Sequence, residues 1–459
     1  MLHREPHASG PFYALGLTLP LLTALACSNP ASPNSPAVPA GGGGGVANGS
    51  AGSAGSAATV AGTSAAQGGS GQAGGSAAAG QPGSGGGTGM AGQATGGAGQ
   101  AGSAQGGSAA GGSANTGVAP VIAAGVRWFG RVDVSAANAI KFAWSGTGFV
   151  GSFTGPVVSA KLSTQGSGDI YFQPVVDGKP GARFPVAGAE KTYELAANLS
   201  AGPHEIALYR ESEGKGLPYS VFSGFAAGTP GTPPAFSGRL IEVIGDSISA
   251  GFGNLGTEQH PNGGQDPSGG CVFETKTESA YQAYAHVAAR DVNADASVLA
   301  GSGWGIYSDN GGSTQNVMPA LFPNTVGEQK TPAWSFAAKP QAVVINLGTN
   351  DSSAHNLTAD KFKPAYTAFL TTIRSKYPDA LILCAVGSML SGTDRTNAVA
   401  YINEMVADLS AKGDKKVKLL DLGTQDALKG TGCAWHPNVA EDARMAGILS
   451  AALKDSLGW

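Results

Sequence analysis

Five short apolar runs recur through the second half of the chain. They cover residues 240–244, 296–300, 342–347, 381–386 and 417–422. Predominantly apolar runs of this length are typical of strands buried on both faces of a sheet, and helical patterns fall between most of them. Alternating buried strands and helices predict a doubly wound parallel sheet. We therefore expect residues 235–459 to form an α/β domain.

Three of the intervening segments have helical patterns. One predicted helix has an apolar face with i, i+3, i+4, i+7 spacing, made by Phe362, Ala365, Tyr366, Phe369, Leu370 and Ile373. A second helix is predicted to begin at Thr275, because Glu278 three residues later completes a capping-box pattern. A third is predicted over residues 438–457.

Residues 118–234 show a different pattern. Short β-rich runs are separated by turn signals in Gly, Ser, Asp and Pro; the runs include residues 140–144, 157–162, 170–176 and 204–209. Many short strands with little helical periodicity predict an antiparallel sandwich or jelly roll. The Gly- and Pro-rich stretch 229–234 predicts a linker to the α/β domain.

The segment 28–117 has neither pattern. The chain has 73 glycines, and the excess over average usage lies mostly between residues 40 and 117, where charged and aromatic residues are almost absent. Such a composition cannot bury enough apolar surface to offset the chain entropy lost on folding. We predict a flexible, disordered tether.

The first 27 residues resemble an export signal. Arg4 precedes an apolar stretch, residues 12–26, that has the length of a signal-peptide core and is too short to span a bilayer. The run before Cys27 resembles a bacterial lipoprotein processing site, which implies a lipid on Cys27 and a cell-surface or outer-membrane location. The alternative is an ordinary signal peptide with an incidental cysteine, and hence a secreted protein.

The net charge argues against a nucleic-acid partner, and the spacing of the histidines argues against a bound metal. The formal net charge is −4 and no basic run is present, which argues against nucleic acid because phosphate neutralisation needs clustered Lys and Arg. His260, His286 and His355 lack partners at metal-ligand spacing, so we expect solvated or capping roles for them. Contact with a membrane is expected only through a lipid on Cys27.

The cysteines that follow the signal are odd in number. They are Cys271, Cys384 and Cys433, so one must be unpaired in an oxidising compartment. Cys384 lies within an apolar run, where a free thiol behaves as a small hydrophobic residue. We therefore predict a Cys271–Cys433 disulfide.

Unusual polar groups follow three of the predicted strands, and a fourth group precedes the last helix. The four segments are Gly245-Asp246-Ser247-Ile248, Gly301-Ser302-Gly303-Trp304-Gly305, Gly348-Thr349-Asn350-Asp351 and Trp435-His436-Pro437-Asn438. Ligands of open α/β sheets bind beyond the carboxyl ends of the strands. We expect the four segments to meet on one rim.

In this order, the four segments resemble the conserved blocks of the SGNH, or GDSL-like, hydrolases. The resemblance covers about residues 239–459 and implies a three-layer α/β/α fold. It also implies that Ser247 is the nucleophile, that His436 is its base, and that the oxyanion hole consists of the Ser247 and Gly303 N–H groups and the Asn350 side chain. A serine hydroxyl needs such a base, and the unperturbed pKa of histidine suits it.

One position departs from this pattern. Many relatives have an aspartate two or three residues before the histidine, where this chain has Ala434 and Cys433. Two arrangements remain: a backbone carbonyl holds His436 and the site is a Ser–His dyad, or a carboxylate elsewhere in the chain orients the ring. We favour the dyad.

Further segments resemble carbohydrate esterase family 2, among them 143–148, 176–178, 278–281 and 432–437. The resemblance implies an esterase that removes acetyl groups from polysaccharides or oligosaccharides of plant cell walls, such as xylan or glucomannan, without a metal or other cofactor. Two alternatives are an esterase or lipase that acts on other acyl esters and a surface carbohydrate-binding lipoprotein that has lost catalysis.

Other notable residues have competing interpretations. Trp304 and Trp435 either stack on a sugar ring or pack at the rim of the site. Asp246 and Asp351 are expected to bond backbone groups in their own turns. Trp128 and Trp144 are expected in the core, and not as a carbohydrate platform.

Overall fold

The computed structural model describes residues 121–166, 168–214, 216–259, 270–354 and 357–459, which belong to one compact unit. The predicted signal peptide, Cys27, the predicted tether, His260 and His355 lie outside the described residues. Among the helices described, none combines the length and apolar content needed to cross a bilayer.

The first part of the described chain is an antiparallel β-sandwich. Its strands are β1 (Ile122–Ala123), β2 (Val126–Phe129), β3 (Ile140–Phe142), β4 (Gly148–Thr164), β5 (Ile170–Val176), β6 (Lys179–Pro180), β7 (Phe184–Val186), β8 (Lys191–Ala197), β9 (Pro203–Arg210) and β10 (Ser220–Pro230). The long strand β4 pairs with β2 and β9 along its first half and with β8 along its second, and β10 pairs with the second half and also with Phe153 and Thr154. Gly155 lies between the halves with φ 121°, a value that favours glycine.

An aromatic cluster fills the core of the sandwich. Trp128 is 1% exposed and packs against Phe142, Phe149 and Phe222 with ring centroids 5.3 to 5.6 Å apart. Tilted and edge-on contacts of this kind are favourable beyond the area they bury. Trp128 is therefore a core residue, as expected.

The second part contains the predicted parallel sheet. Its strands and an accompanying hairpin are β11 (Leu240–Gly245), β12 (Asp295–Ala300), β13 (Asn324–Val326), β14 (Gln329–Ala333), β15 (Ala342–Asn346), β16 (Leu381–Val386) and β17 (Val417–Asp421). The sheet order is β12-β11-β15-β16-β17, and every pairing is parallel. Gly245 is in register with Ala300 and Asn346, so three strands end at one edge.

Helices cover both faces of this sheet. They are α1 (Ser247–Ala250), α2 (Tyr284–Asp291), α3 (Met318–Leu321), α4 (Thr349–Ala354), α5 (Ala359–Lys376), α6 (Gly392–Ala411) and α7 (Val439–Leu457). Helices α5 and α6 pack on one face and α2 and α7 on the other. The predicted α/β class, preceded by a β-sandwich, is confirmed.

The prediction of a helix starting at Thr275 is wrong. Residues Thr275–Thr277 form only one 3-10 turn, and α2 begins at Tyr284. Glu278 does not cap a helix, because its side chain accepts a hydrogen bond from the backbone N–H of Glu213 in the sandwich. Contacts with another part of the fold thus determine the conformation of this segment.

The sandwich and the α/β part share a core. Trp144 is fully buried among residues of the α/β part, and its indole N–H donates to the carbonyl of Thr325 at 3.0 Å. Arg131 is also fully buried and pairs with Glu242 of β11 at 3.1 Å. A buried charge of this kind is tolerable only when it is paired, so the two parts depend on each other.

Candidate active site

Ser247 lies where β11 turns into the short helix α1. Asp246 caps that helix, because its side chain accepts a hydrogen bond from the N–H of Ile248 at 3.0 Å. Gly245 is needed before the turn, since a Cβ there would lie 2.1 Å from the hydroxyl oxygen of Ser249. The turn thus places Ser247 just beyond the carboxyl end of β11.

The imidazole of His436 contacts Ser247, although 189 residues separate them. Nε2 lies 2.8 Å from Ser247 Oγ, and Nδ1 lies 2.9 Å from the carbonyl oxygen of Ala434. Because a carbonyl only accepts, we assign the ring proton to Nδ1, which leaves Nε2 as acceptor toward the serine. A base beside a serine nucleophile requires this tautomer.

A strained turn aims the carbonyl of Ala434 at the ring. Ala434 and Trp435 have φ values of 50° and 62°, in the left-handed region that costs free energy for residues other than glycine. The disulfide between Cys271 and Cys433 ties the start of the turn to a neighbouring loop, and the N–H of Ala434 donates to the carbonyl of Cys271 at 3.2 Å. These contacts hold the turn against its strain.

Glu258 supports the same turn through both carboxylate oxygens. It accepts hydrogen bonds from the N–H of Trp435 at 3.0 Å and from the N–H of Cys271 at 2.7 Å, and it is 5% exposed. Among the described residues no carboxylate is hydrogen-bonded to His436. The contacts therefore match the geometry of the dyad alternative, in which a backbone carbonyl holds the imidazole.

The surroundings of His436 favour its neutral form. The ring of Phe252 packs against the imidazole with centroids 4.4 Å apart. Desolvation lowers the pKa of His436 to about 4, and the hydrogen bond to the carbonyl of Ala434 opposes this shift. The imidazole of His436 is consequently neutral at neutral pH.

The loop after β12 lies beside the loop after β11. The N–H of Gly301 donates to the carbonyl of Gly245 at 3.3 Å, and the N–H of Trp304 donates to the carbonyl of Gly301 at 3.1 Å, which closes a tight turn. Gly303 has φ 85° in this turn, so glycine is favoured there. Within the described chain, the N–H groups of Ser247 and Gly303 have no hydrogen-bond acceptor, and both can donate to a ligand.

Asn350 joins the same rim from the first turn of α4. Its side-chain nitrogen donates to the carbonyl of Trp304 at 3.1 Å, and the second hydrogen on that nitrogen has no acceptor among the described residues. The next residue, Asp351, accepts hydrogen bonds from the N–H groups of Ile306, Tyr307 and Ser308 at 2.7 to 3.0 Å. Asp351 thus has a structural role, but the expectation that it bonds its own turn is wrong, because its acceptors serve the loop after β12.

The two tryptophans at the rim are half-buried. The carbonyl of Trp304 is bound by Asn350, and the carbonyl of Trp435 accepts a hydrogen bond from the side chain of Gln425 at 2.7 Å. Their backbones are therefore fixed, while each residue keeps part of its surface exposed. Both sit directly beside predicted site residues in the chain.

The structure differs from the sequence analysis at His286. We expected a solvated or capping residue, but this side chain is 3% exposed and packs against Tyr209 and Gly146 of the sandwich. Burial lowers the pKa of His286 to about 3. Within the described residues, no cluster of three His, Cys, Asp or Glu side chains could hold a metal ion.

Two supporting glutamates were missed by the sequence analysis. Glu258 supports the turn before His436, and Glu213, from the sandwich, accepts a hydrogen bond from the N–H of Ser302 at 3.0 Å. For Glu213 a signal was available in the charged run Arg210-Glu211-Ser212-Glu213 directly after an apolar strand; no comparable signal marks Glu258.

Comparisons with known sequence families match both parts of the chain. The Carbohydrate esterase 2 N-terminal family matches residues 128–234. The GDSL-like Lipase/Acylhydrolase family matches residues 243–443.

Two characterised proteins are similar in sequence. Cellulase/esterase CelE of Acetivibrio thermocellus is 36% identical over 338 residues, which are 73% of this chain and 40% of that protein. The chain thus spans less than half of that relative. An acetylxylan esterase / glucomannan deacetylase of Cellvibrio japonicus is 28% identical over 306 residues, which are 62% of this chain and 76% of that protein.

A solved structure is similar over nearly its whole length. It is a family two carbohydrate esterase from Clostridium thermocellum in complex with cellohexaose. The identity is 36% and the TM-score is 0.67, over 73% of this chain and 99% of that chain.

Proposed function

We propose, from the premise that this chain belongs to carbohydrate esterase family 2 and is a carboxylic ester hydrolase, that it removes O-acetyl groups from carbohydrate by a serine mechanism. The observation that carries the mechanism is the 2.8 Å contact between His436 Nε2 and Ser247 Oγ. The substrate is an acetylated plant cell-wall polysaccharide or oligosaccharide.

In the first half of the reaction, Ser247 Oγ attacks the acetyl carbonyl carbon while its proton passes to His436 Nε2. The tetrahedral intermediate collapses, the bond to the sugar oxygen breaks, and His436 returns the proton to that oxygen. In the second half, a water loses its proton to His436 and attacks the acetyl-enzyme, which releases acetate and restores the Ser247 hydroxyl.

Negative charge develops on the acetyl carbonyl oxygen in both halves of the reaction. The N–H groups of Ser247 and Gly303 and the side-chain amide of Asn350 supply donors for it. Loss of one such donor typically costs about a hundred- to a thousand-fold in rate. The hydrogen bonds that hold Gly301 and Trp304 support this role, because a donor stabilises a transition state best when it is already in position.

Two features support a carbohydrate substrate. The similar protein of Cellvibrio japonicus is described as acting on acetylxylan and glucomannan. The half-buried residues Trp304 and Trp435 lie next to Gly303 and His436 in the chain, and aromatic rings can pack on the apolar face of a sugar. We propose that both contact the polymer.

The test is acetate release from acetylated xylan and acetylated glucomannan by the purified protein. Ser247→Ala and His436→Ala should each lower the rate at least a thousand-fold. Ser249→Ala is the matched control, because this serine lies in the same short helix but bonds Tyr284 at 2.9 Å, and it should keep the rate. If wild type binds the polymers but releases no acetate from them, the esterase function on these polymers is refuted.

The preference among acyl chain lengths distinguishes a deacetylase from a general esterase. We expect 4-nitrophenyl acetate to be cleaved faster than the butyrate and octanoate esters. A preference for octanoate would replace the deacetylase by a lipase-like esterase.

We also propose that the protein is exported and held at the cell surface by a lipid on Cys27, with residues 28–117 as the tether. Radiolabelled palmitate should be incorporated into the wild type but not into Cys27→Ser in a bacterial host. Release of unlabelled wild type into the medium would indicate a secreted protein instead.

A further inference from the structure

Glu213 reaches from the sandwich to the loop that carries Gly303. It follows the end of β9 and is 5% exposed, and its Oε2 accepts a hydrogen bond from the N–H of Ser302 at 3.0 Å. Resting on the serine mechanism proposed above, we propose that Glu213 is a positioning residue for the oxyanion hole. The sandwich is then part of the catalytic machinery and does more than brace it.

The peptide group between Ser302 and Gly303 contains the Gly303 N–H. On one side, the N–H of Ser302 is held by Glu213. On the other, the carbonyl of Gly303 accepts a hydrogen bond from the N–H of Asn310 at 2.9 Å. Bonds on both sides restrict rotation of the peptide plane, and glycine itself offers little resistance to rotation.

Glu213 is itself held on both sides. Its carbonyl accepts a hydrogen bond from Nη2 of Arg210 at 2.8 Å, and its N–H donates to Oε1 of Glu278 at 3.2 Å. Arg210 and Glu278 are both fully buried. The carboxyl group is thus presented to Ser302 from a rigid segment, as precise positioning requires.

Burial also affects the charge of this carboxyl group. Desolvation raises the pKa of Glu213 to about 7, while hydrogen bonding by Ser302 and the charge of Arg210 oppose the shift. A protonated carboxyl group still has a carbonyl oxygen that can accept from the N–H of Ser302. Glutamine has the same acceptor and a similar shape, so it should preserve the contact.

The chain offers a matched control in Glu211. This residue is fully buried, lies in the same segment, and bonds across the same boundary by accepting from the N–H of Tyr281 at 3.2 Å. It has no hydrogen bond to residues 301–305 among the described contacts. Its removal should disturb the junction of the two parts without releasing the peptide that carries the Gly303 N–H.

The experiment compares wild type with Glu213→Ala, Glu213→Gln and Glu211→Ala on acetylated xylan and on 4-nitrophenyl acetate. Thermal unfolding gives the folded fraction of each variant. We expect kcat of folded Glu213→Ala to fall about 10- to 100-fold with little change in KM, because a shift of about 1 Å in a catalytic group can cost a hundred-fold. Glu213→Gln should recover at least half of the decrease in log kcat. Glu211→Ala should have a kcat within about threefold of the wild-type value.

The positioning role is overturned if folded Glu213→Ala keeps the wild-type kcat, if its kcat falls no further than that of Glu211→Ala, or if glutamine restores nothing. Failure of the positioning role of Glu213 and failure of the proposed polymer substrate give different results. Wild type that cleaves 4-nitrophenyl acetate but not acetylated xylan would refute the proposed polymer and leave the comparison of variants valid on the small ester.

Discussion

The backbone carbonyl of Ala434 accepts a hydrogen bond from Nδ1 of His436 at 2.9 Å. A carbonyl can fix the orientation and tautomer of an imidazole as a carboxylate does, but it contributes no full negative charge to stabilise the imidazolium. The base of this site should therefore be harder to protonate than one held by an aspartate.

The first prediction concerns the acid limb of the pH profile. His436 must be neutral to accept the serine proton, and its pKa is lowered to about 4. Activity should consequently be retained down to about pH 5 and fall as the pH drops through 4. The pH dependence of kcat/KM for 4-nitrophenyl acetate measures this. A midpoint near 6.5 would contradict it, because that is the ordinary value for histidine.

The second prediction concerns Glu258. Glutamine has one acceptor oxygen, whereas the carboxylate serves two N–H groups, those of Trp435 and Cys271. Glu258→Gln should loosen the turn before His436 and lower kcat about tenfold, with KM changed less. Glu274→Gln is a suitable control, since that side chain is exposed. Equal steady-state constants for the two variants would show that Glu258 does not support the base.

The third prediction concerns acid stability and His286. The pKa of this residue is about 3 in the folded protein and about 6.5 when unfolded. The neutral side chain therefore contributes full stability above pH 6.5, and about 1.4 kcal/mol is lost for each pH unit below it until about pH 3.

His286→Leu removes this titration. The free energies of unfolding of wild type and variant in urea should shift relative to each other by about 1.4 kcal/mol between pH 6 and pH 5, in favour of the variant. Taking the difference cancels the contribution of the buried carboxyl groups, whose raised pKa values act in the opposite direction. If the difference in free energy of unfolding between wild type and His286→Leu does not change with pH, His286 is in contact with solvent.

The fourth prediction concerns Arg131 and Glu242, the buried pair that joins the two parts. Arg131→Met leaves the carboxylate of Glu242 buried, and within the described part of the chain the hydroxyl of Tyr377 is then its one hydrogen-bond donor, at 3.0 Å. We expect a loss of about 3 to 5 kcal/mol in the free energy of unfolding. Arg131→Met combined with Glu242→Gln should lose less than the sum of the single variants, as measured by urea unfolding. Strict additivity would indicate that the two charges do not interact.

Local patterns were sufficient to predict the five parallel strands and the apolar face of α5, because Phe362 and its partners are buried by the same sheet that the strands form. The three loop segments that follow strands were also predictable, since parallel strands end at one edge, whereas the place of His436 beside them was expected from the family resemblance. Glu213 and Glu258 were not predictable, because their roles arise from contacts with residues 89 and 177 positions away. The failed helix start at Thr275 has the same cause: Glu278 is bound to a different part of the molecule.

Trp144 crosses from the sandwich into the core of the α/β part. Recombination that replaced the first part by an unrelated module would leave a void the size of an indole in the second. Such exchanges would require compensating substitutions on both sides of the junction. We therefore expect that the two parts are inherited together and diverge in step over evolution.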